Sequence, residues 1–366
     1  MKVGYTASGF KGPHKAVNST VWVDQDITWA SLVWAAATVG RREKADVKKH
    51  PTLWKLEFSW RAAMLRSCLV ATTGAAPRLV RSAVYDGMDP SEKGAVSFFV
   101  GMAIAKHFAG ALLGVPWLMH LDVYKDRFKT QLNGKKAKTD KNGNIVKGKN
   151  GKAVYVNTNE RPDLFGQDGN GRWYAIESKG RTGPVDKDTL KTAKRQAGRL
   201  AMVNGTSVLA NVAIASEFYG KPEVLRSRVE DPKPGHAPIA FEIGGVSFQH
   251  DYYEHLQALL GPAPRLLALD GANYVVADYP ALDLRLGCSE EVMGALALLH
   301  FGGDVPGALG AVLGGIAQGG PAGGKAVVVD GQQGFIGPDG VIVVVGKSWP
   351  PQTVRAAPRR GGSATT

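Results

Sequence analysis

Between Trp173 and Lys179 side chains alternate with the period of a β-strand. This places Trp173, Ala175, Glu177 and Lys179 on one face and Tyr174, Ile176 and Ser178 on the other. Glu177-Ser178-Lys179 therefore forces a carboxylate and an ammonium onto the same side. Upstream, Arg161-Pro-Asp-Leu-Phe-Gly-Gln167 reads as a second strand, and Asp168-Gly-Asn-Gly-Arg172 as the turn between the two. A turn of that length pairs Gln167 with Trp173, and the register then sets Asp163 opposite Glu177, with Cβ atoms roughly 5 Å apart. A slip of one residue would destroy the arrangement. Carboxylates this close repel unless a cation lies between them, and hard oxygen donors with open positions suit Mg²⁺ or Mn²⁺. Such an ion polarises a phosphate and helps generate hydroxide from water. Lys179 can position that water or stabilise charge in the transition state. Asp168 is a rival metal-binding aspartate, but it belongs to the turn. A plainer reading stands beside this one: Asp163 caps a turn, and Glu177 with Lys179 is a surface ion pair on an edge strand.

The flanks of the hairpin add candidates. Asp89-Pro90-Ser91-Glu92 is a helix start, with Asp as N-cap and Pro at the first helical position, and the helix runs to about Leu113. At 100° per residue Glu92 shares a face with Ala95, Val96, Phe99 and Ala103. It either closes a capping box on the Asp89 amide or reaches from a buried face into a pocket, and both can be true. Trp117 to Tyr124 reads as a strand. Pro184 and Val185 begin a helix to about Val203, with Leu190, Ala193, Ala197, Leu200 and Ala201 on its buried face. Gln196 lies at the edge of that face, and Arg195 and Arg199 point further out. Ser207 to Ser216 is an apolar run of strand length, buried on both faces.

Charge points to the partner. The chain carries a net +13, and two windows account for the whole excess. From Lys125 to Lys152 ten Lys/Arg oppose two acids, and from Arg172 to Arg199 eight oppose three. A polyanion, nucleic acid and DNA first, is the natural reading, against a merely solvated basic loop. Lys135, Lys136, Lys138, Lys147 and Lys149 in the first window, with Arg181, Lys194, Arg195 and Arg199 in the second, are the candidate phosphate contacts.

The order is now helix with glutamate, strand, strand with Pro-Asp, glycine turn, strand with Glu-x-Lys, basic helix and buried strand. With Pro162-Asp163 and Glu177-Ser178-Lys179 as its two signature parts, residues 89–220 resemble the PD-(D/E)XK superfamily of restriction-endonuclease-like nucleases. The resemblance implies an α/β (α+β) fold with an αβββαβ core, a mixed central sheet flanked by helices, and cleavage of nucleic acid with a divalent metal. By the same resemblance Glu92 corresponds to a first-helix glutamate found in many members and joins Asp163 and Glu177 as a metal ligand. Gln196 corresponds to a glutamine some members place after Glu-x-Lys, although the aromatic residue that often follows it by four is Leu200 here. A member with a weak or silent site would instead serve as a nucleic-acid-binding or assembly module.

The remaining length organises around this core. Residues 1–88 read as a mainly helical part packed on it, with helices at about Thr28 to Arg41 and Thr52 to Thr72. The second carries Leu53, Leu56, Trp60, Met64 and Leu65 at helical spacing, and its aromatics Trp54, Phe58 and Trp60 read as core. Residues 221–349 read as an accessory region that opens with a Pro-rich, charged linker at 221–238. It holds a helix at 248–260, a strand at 272–277, ten glycines within 302–324 and a β-hairpin at 325–345. It could supply target recognition, a homodimer contact or a partner surface. The tail from 350 reads as disordered. Cys68 and Cys288 form no disulfide framework, and no secretory signal is visible, which suits a cytoplasmic protein. The apolar stretch 97–118 holds Lys106 and His107 at its centre and reads as a buried helix rather than a membrane span. His107, His120, His250 and His255 lack metal-ligand spacing.

Overall fold

A computed structural model describes residues 1–39, 50–122, 134–137, 146–148, 150–152, 155–158, 160–220, 222–232, 239–243, 248–261, 263–297, 312 and 323–349. The chain is mixed α/β. It begins with β1 (Lys2–Ser8), β2 (Ser19–Asp26), α1 (Trp29–Thr38), α2 (Pro51–Cys68), β3 (Leu69–Ala71), β4 (Leu79–Arg81) and α3 (Ala83–Gly87). The middle is α4 (Pro90–Leu113), β5 (Trp117–His120), β6 (Gly134–Ala137), β7 (Tyr155–Thr158), β8 (Leu164–Gln167), β9 (Trp173–Arg181) and α5 (Lys187–Ala197). Then come β10 (Leu200–Val203), β11 (Thr206–Ser207), β12 (Ala210–Tyr219), β13 (Val224–Glu230), β14 (Ile239–Phe241) and α6 (Phe248–Leu260). The last part is β15 (Arg265–Leu269), β16 (Ala272–Tyr279), β17 (Leu284–Ser289), α7 (Glu290–Ala297), β18 (Lys325–Val329), β19 (Gln332–Ile336) and β20 (Val341–Val345).

The principal sheet runs β2-β1-β13-β12-β9-β8-β5. β5, β8 and β9 form an antiparallel meander, and β12 lies parallel to β9 with α5 as the crossover between them. Two helices cover opposite faces of β9. Gly180 backs onto α4: a Cβ there would collide with the Ser97 carbonyl, and one on Gly101 would stand 2.8 Å from Gly180 Cα. Alternation turns Glu177 and Lys179 the other way. Their parallel partners are Ala213 and Ala215, which pack under α5 through Ala193, Ala197, Val185 and Leu190.

Local chemistry explains the helix that backs the site. Asp89 accepts from the Ser91 and Glu92 amides (2.7 and 3.2 Å), Pro90 occupies the first turn, and Gly114 ends α4 in the left-handed region. By length and composition α4 could cross a membrane, but Val100 to Gly110 are buried in the protein.

Several sequence expectations are corrected. The boundaries at 88 and 220 separate nothing, because β1, β2 and β13 belong to the same sheet as β9, and one core cluster joins Val3 to Trp349. The expected linker contains β13, and the N-terminal part contributes strands as well as helices. On α2, Leu53, Leu56 and Trp60 are exposed while Phe58, Ala62, Leu65 and Cys68 are buried. The helix is turned because Arg61 goes inward, bonding the Ala36 carbonyl (3.1 Å) and Glu57 (2.6 Å). α5 stops at Ala197, so Leu200 and Ala201 lie on β10 rather than on a helix face. The C-terminal hairpin is part of an antiparallel sheet, β15-β16-β17-β20-β19-β18. The tail from 350 and nearly all of 302–322 lie outside the described residues.

A buried polar junction ties the C-terminal sheet to the core. The Asp339 carboxylate accepts from Trp34 Nε1 (2.9 Å), the Tyr252 hydroxyl (2.6 Å) and the Val341 amide (3.1 Å). Lys106 Nζ stands 3.9 Å from it and donates to the Tyr252 hydroxyl (2.7 Å) and to the Pro116 carbonyl. The Tyr253 hydroxyl accepts from Trp117 Nε1 (2.9 Å) and donates to the Asp339 carbonyl (2.6 Å). The buried lysine is pushed down to about 7 by desolvation, against the pull of Asp339.

Candidate functional site

The β8–β9 hairpin folds in the expected register. Gln167 pairs with Trp173 and Leu164 with Ile176, so the next position outward is Asp163 against Glu177. The two acids cross-link the strands: the Asp163 amide donates to Glu177 Oε2 (3.0 Å), and the Ser178 amide donates to Asp163 Oδ2 (3.1 Å). Glu177 is wholly buried, and its other oxygen accepts from the half-buried Lys179 ammonium. The ion pair expected on a surface edge is thus present, but in a strand with neighbours on both sides.

Asp168 holds the turn. Its carboxylate takes the Asn170 and Arg172 amides (2.9 and 3.0 Å), the Arg172 side chain (2.6 Å) and the Tyr174 hydroxyl (3.1 Å).

The electrostatics are those of a site short of positive charge. Burial raises the Glu177 carboxyl to about 8 and the neighbouring Asp163 adds to the rise, with Lys179 only partly offsetting it. Asp163 is also raised by burial. Lys179 and the Ser178 amide oppose that rise, and Asp122 adds to it. Among the described residues no three of His, Cys, Asp and Glu are grouped so as to hold a metal unaided. Asp163 and Glu177 could supply two carboxylates to a Mg²⁺-like ion, which usually takes one or two protein carboxylates and completes its shell with waters and substrate phosphate. A cation there would offset the burial and mutual repulsion that raise both carboxyls.

Other expected site residues are placed differently. Glu92 is exposed, and its Oε2 accepts from the Asp89 amide (3.1 Å), closing the capping box. The expected buried face and third metal ligand are corrected: Glu92 belongs to the helix on the opposite face of β9. Gln196 is half-buried on α5, the helix that covers the Glu177 face. Arg199 is corrected too. The chain turns after Gly198 and takes Arg199 inside, fully buried, with burial lowering its guanidinium and its carbonyl accepting from Ile239 (2.6 Å).

The other basic candidates have acidic neighbours. Arg181 meets Asp186 (3.5 Å), Lys194 meets Glu230 (2.9 Å) and Arg195 meets Glu160 (3.0 Å). Lys147 is exposed. Lys138, Lys149 and the side chains of Lys135 and Lys136 lie outside the described residues. His107 and His255 each bond a backbone carbonyl, of Asp26 (3.2 Å) and Ala37 (3.1 Å).

Three neighbours of Asp163 escaped the sequence reading. The Leu121 amide donates to the Asp163 carbonyl (2.9 Å), which carries the β5–β8 ladder one step past His120–Leu164. Asp122 therefore stands beside Pro162 and pairs with Arg161, while Glu160 turns to α5. Extending the expected strand 117–124 against 161–167 would have found them. No protein-family model, no curated protein and no solved structure matches this chain.

Proposed function

We propose that the protein is a divalent-metal-dependent nuclease of the PD-(D/E)XK type that hydrolyses phosphodiester bonds of nucleic acid, DNA first. The observation that carries this reading is the Asp163–Glu177 cross-strand pair with Lys179 on the same face. Supporting it is the placing of the pair among α4, the β5-β8-β9 meander, α5 and the parallel β12, with β6, β7, β10 and β11 inserted, which is compatible with an αβββαβ core. Asp163 and Glu177 would hold Mg²⁺ or Mn²⁺, which when bound polarises the phosphate and lowers the pKa of water. Lys179 would leave Glu177 and turn its ammonium to the attacking water or the phosphate oxygens, where negative charge grows. Burial of Glu177 strengthens each of these interactions by excluding bulk water.

The test is incubation with plasmid, linear duplex, single-stranded DNA and RNA in Mg²⁺, Mn²⁺ or EDTA. Cutting requires the metal and drops by at least about 10²-fold in Lys179→Ala and Asp163→Asn, the range for a lost electrostatic group. Variants that cut like the parent overturn the assignment. A second reading, a silent nucleic-acid-binding module, has its own support, because both Glu177 oxygens already have donors. Salt-sensitive binding without cleavage would decide for it.

A further inference from the structure

Arg161, two residues before Asp163, and Arg195 on α5 are each held by a carboxylate. Glu160 and Arg161 are adjacent in the segment leading into β8, yet their side chains reach different elements. Arg161 Nε meets Asp122 Oδ1 just past the end of β5. Glu160 meets α5, where Arg195 engages it through two roughly parallel bonds, Nη2–Oε1 at 3.0 Å and Nε–Oε2 at 3.2 Å. Both pairs touch solvent: Asp122 is 64% and Arg195 47% exposed as side chains. Each pair thus has one well-solvated member, which leaves it open to exchange with a competing anion. The two-pronged geometry of Arg195 on Glu160 is also the geometry in which a guanidinium takes a phosphate.

We propose that Arg161 and Arg195 are the phosphate-contacting arginines of this site, kept in position by Asp122 and Glu160 until the nucleic-acid backbone replaces the two carboxylates. The inference rests on the nuclease reading and adds to it where the strand lies. The backbone passes from the end of β5 across Asp163 to the outer side of α5. It also gives Asp122 and Glu160 a role as internal competitors. They stand where phosphates go, so non-specific polyanions must displace them before reaching the carboxylate pair. Arg161 and Arg195 are exchanged rather than newly ordered, which reduces the side-chain entropy lost on binding.

The experiment measures binding of a short fluorescent duplex in EDTA across a salt series. Each arginine that meets a phosphate contributes about 0.9 to the slope of log K against log salt. Arg161→Ala and Arg195→Ala are each expected to shallow the slope by about 0.9 and to weaken binding several-fold. Asp122→Asn and Glu160→Gln are expected to tighten binding or leave it equal, with an undiminished slope. Arg161→Lys, which keeps the charge, retains the slope and serves if the alanine variant folds poorly by circular dichroism. The proposal is overturned if the arginine variants keep the parental slope, or if Asp122→Asn weakens binding as much as Arg161→Ala. Because EDTA removes cleavage, the two readings separate. Absent cleavage with an intact arginine effect sinks the nuclease assignment alone. Metal-dependent cleavage with unchanged slopes in the arginine variants sinks this one alone.

Discussion

Replacing Asp339 by alanine tests whether the C-terminal sheet is structurally part of the core. The carboxylate is wholly buried and receives the Trp34 indole, the Tyr252 hydroxyl and the Val341 amide, with the Lys106 ammonium 3.9 Å away. Alanine leaves these donors buried without that acceptor, at about 1–3 kcal/mol each. It also strips Lys106 of its counter-charge, a change that costs about 3–5 kcal/mol when one member of a buried pair is removed. These costs overlap, because Lys106 can release its proton and Tyr252 already receives a bond from it. The expected net loss is about 4–6 kcal/mol, a large share of the roughly 5–15 kcal/mol typical of a domain.

Lys106→Met should cost less, since the Asp339 carboxylate keeps its bonds from Trp34, Tyr252 and Val341. Guanidinium unfolding followed by tryptophan fluorescence reads the effect directly, because Trp34 and Trp117 are both in the network. Far-UV circular dichroism should give the same midpoint, with one transition for the whole chain. A loss below about 1 kcal/mol, or two separate transitions, would refute the reasoning.

Three further outcomes follow from the site. Glu177 keeps a proton in the folded state up to about pH 8 that the unfolded chain, with an ordinary value of 4.5, releases. Stability without divalent ions should therefore fall as pH rises from about 4.5 to 8. Glu177→Gln should flatten that fall in thermal melts, and an identical slope in the variant would remove the assigned cause. At pH 8, Mn²⁺ should raise the melting temperature of the parent but not of Asp163→Asn, by the linkage of binding to folding. Equal shifts in both would place the ion elsewhere. Gly180→Ala drives a methyl into the Ser97 carbonyl and should cost at least about 1–3 kcal/mol as well as displacing Lys179. A fully stable, fully active Gly180→Ala would show that α4 does not seat strand β9.

The hairpin register was readable because its determinants are local. The length of the Asp168–Arg172 turn and period-two alternation are enough to bring Asp163 to Glu177. The start of α4 was readable for the same reason, since Asp89, Pro90 and Glu92 are neighbours in sequence. What escaped depends on distant partners. Arg61 is charged, and nothing in residues 51–68 says that it will find the Ala36 carbonyl inside and turn Leu53, Leu56 and Trp60 outward. The 221–238 stretch looks like a linker until β1 and β12 supply the edges between which β13 pairs. Asp339 is unremarked among glycines in sequence, and its distant partners Trp34, Lys106 and Tyr252 come from three other segments. Glu92 had two compatible local readings, and only the packing of α4 on the far face of β9 chose between them.

The reciprocal bonds between Asp163 and Glu177 bear on how such a site would decay over generations. Each carboxylate accepts an amide from the opposite strand, so removing either loosens the pairing of β8 with β9. A lineage losing the chemistry would find those two positions costly to change. Lys179, whose ammonium is partly solvated and bonds no backbone amide, is the cheaper position to abandon. Relatives that had become pure binders should then keep both acids and vary at the lysine, so the carboxylate pair alone would be a poor marker of activity.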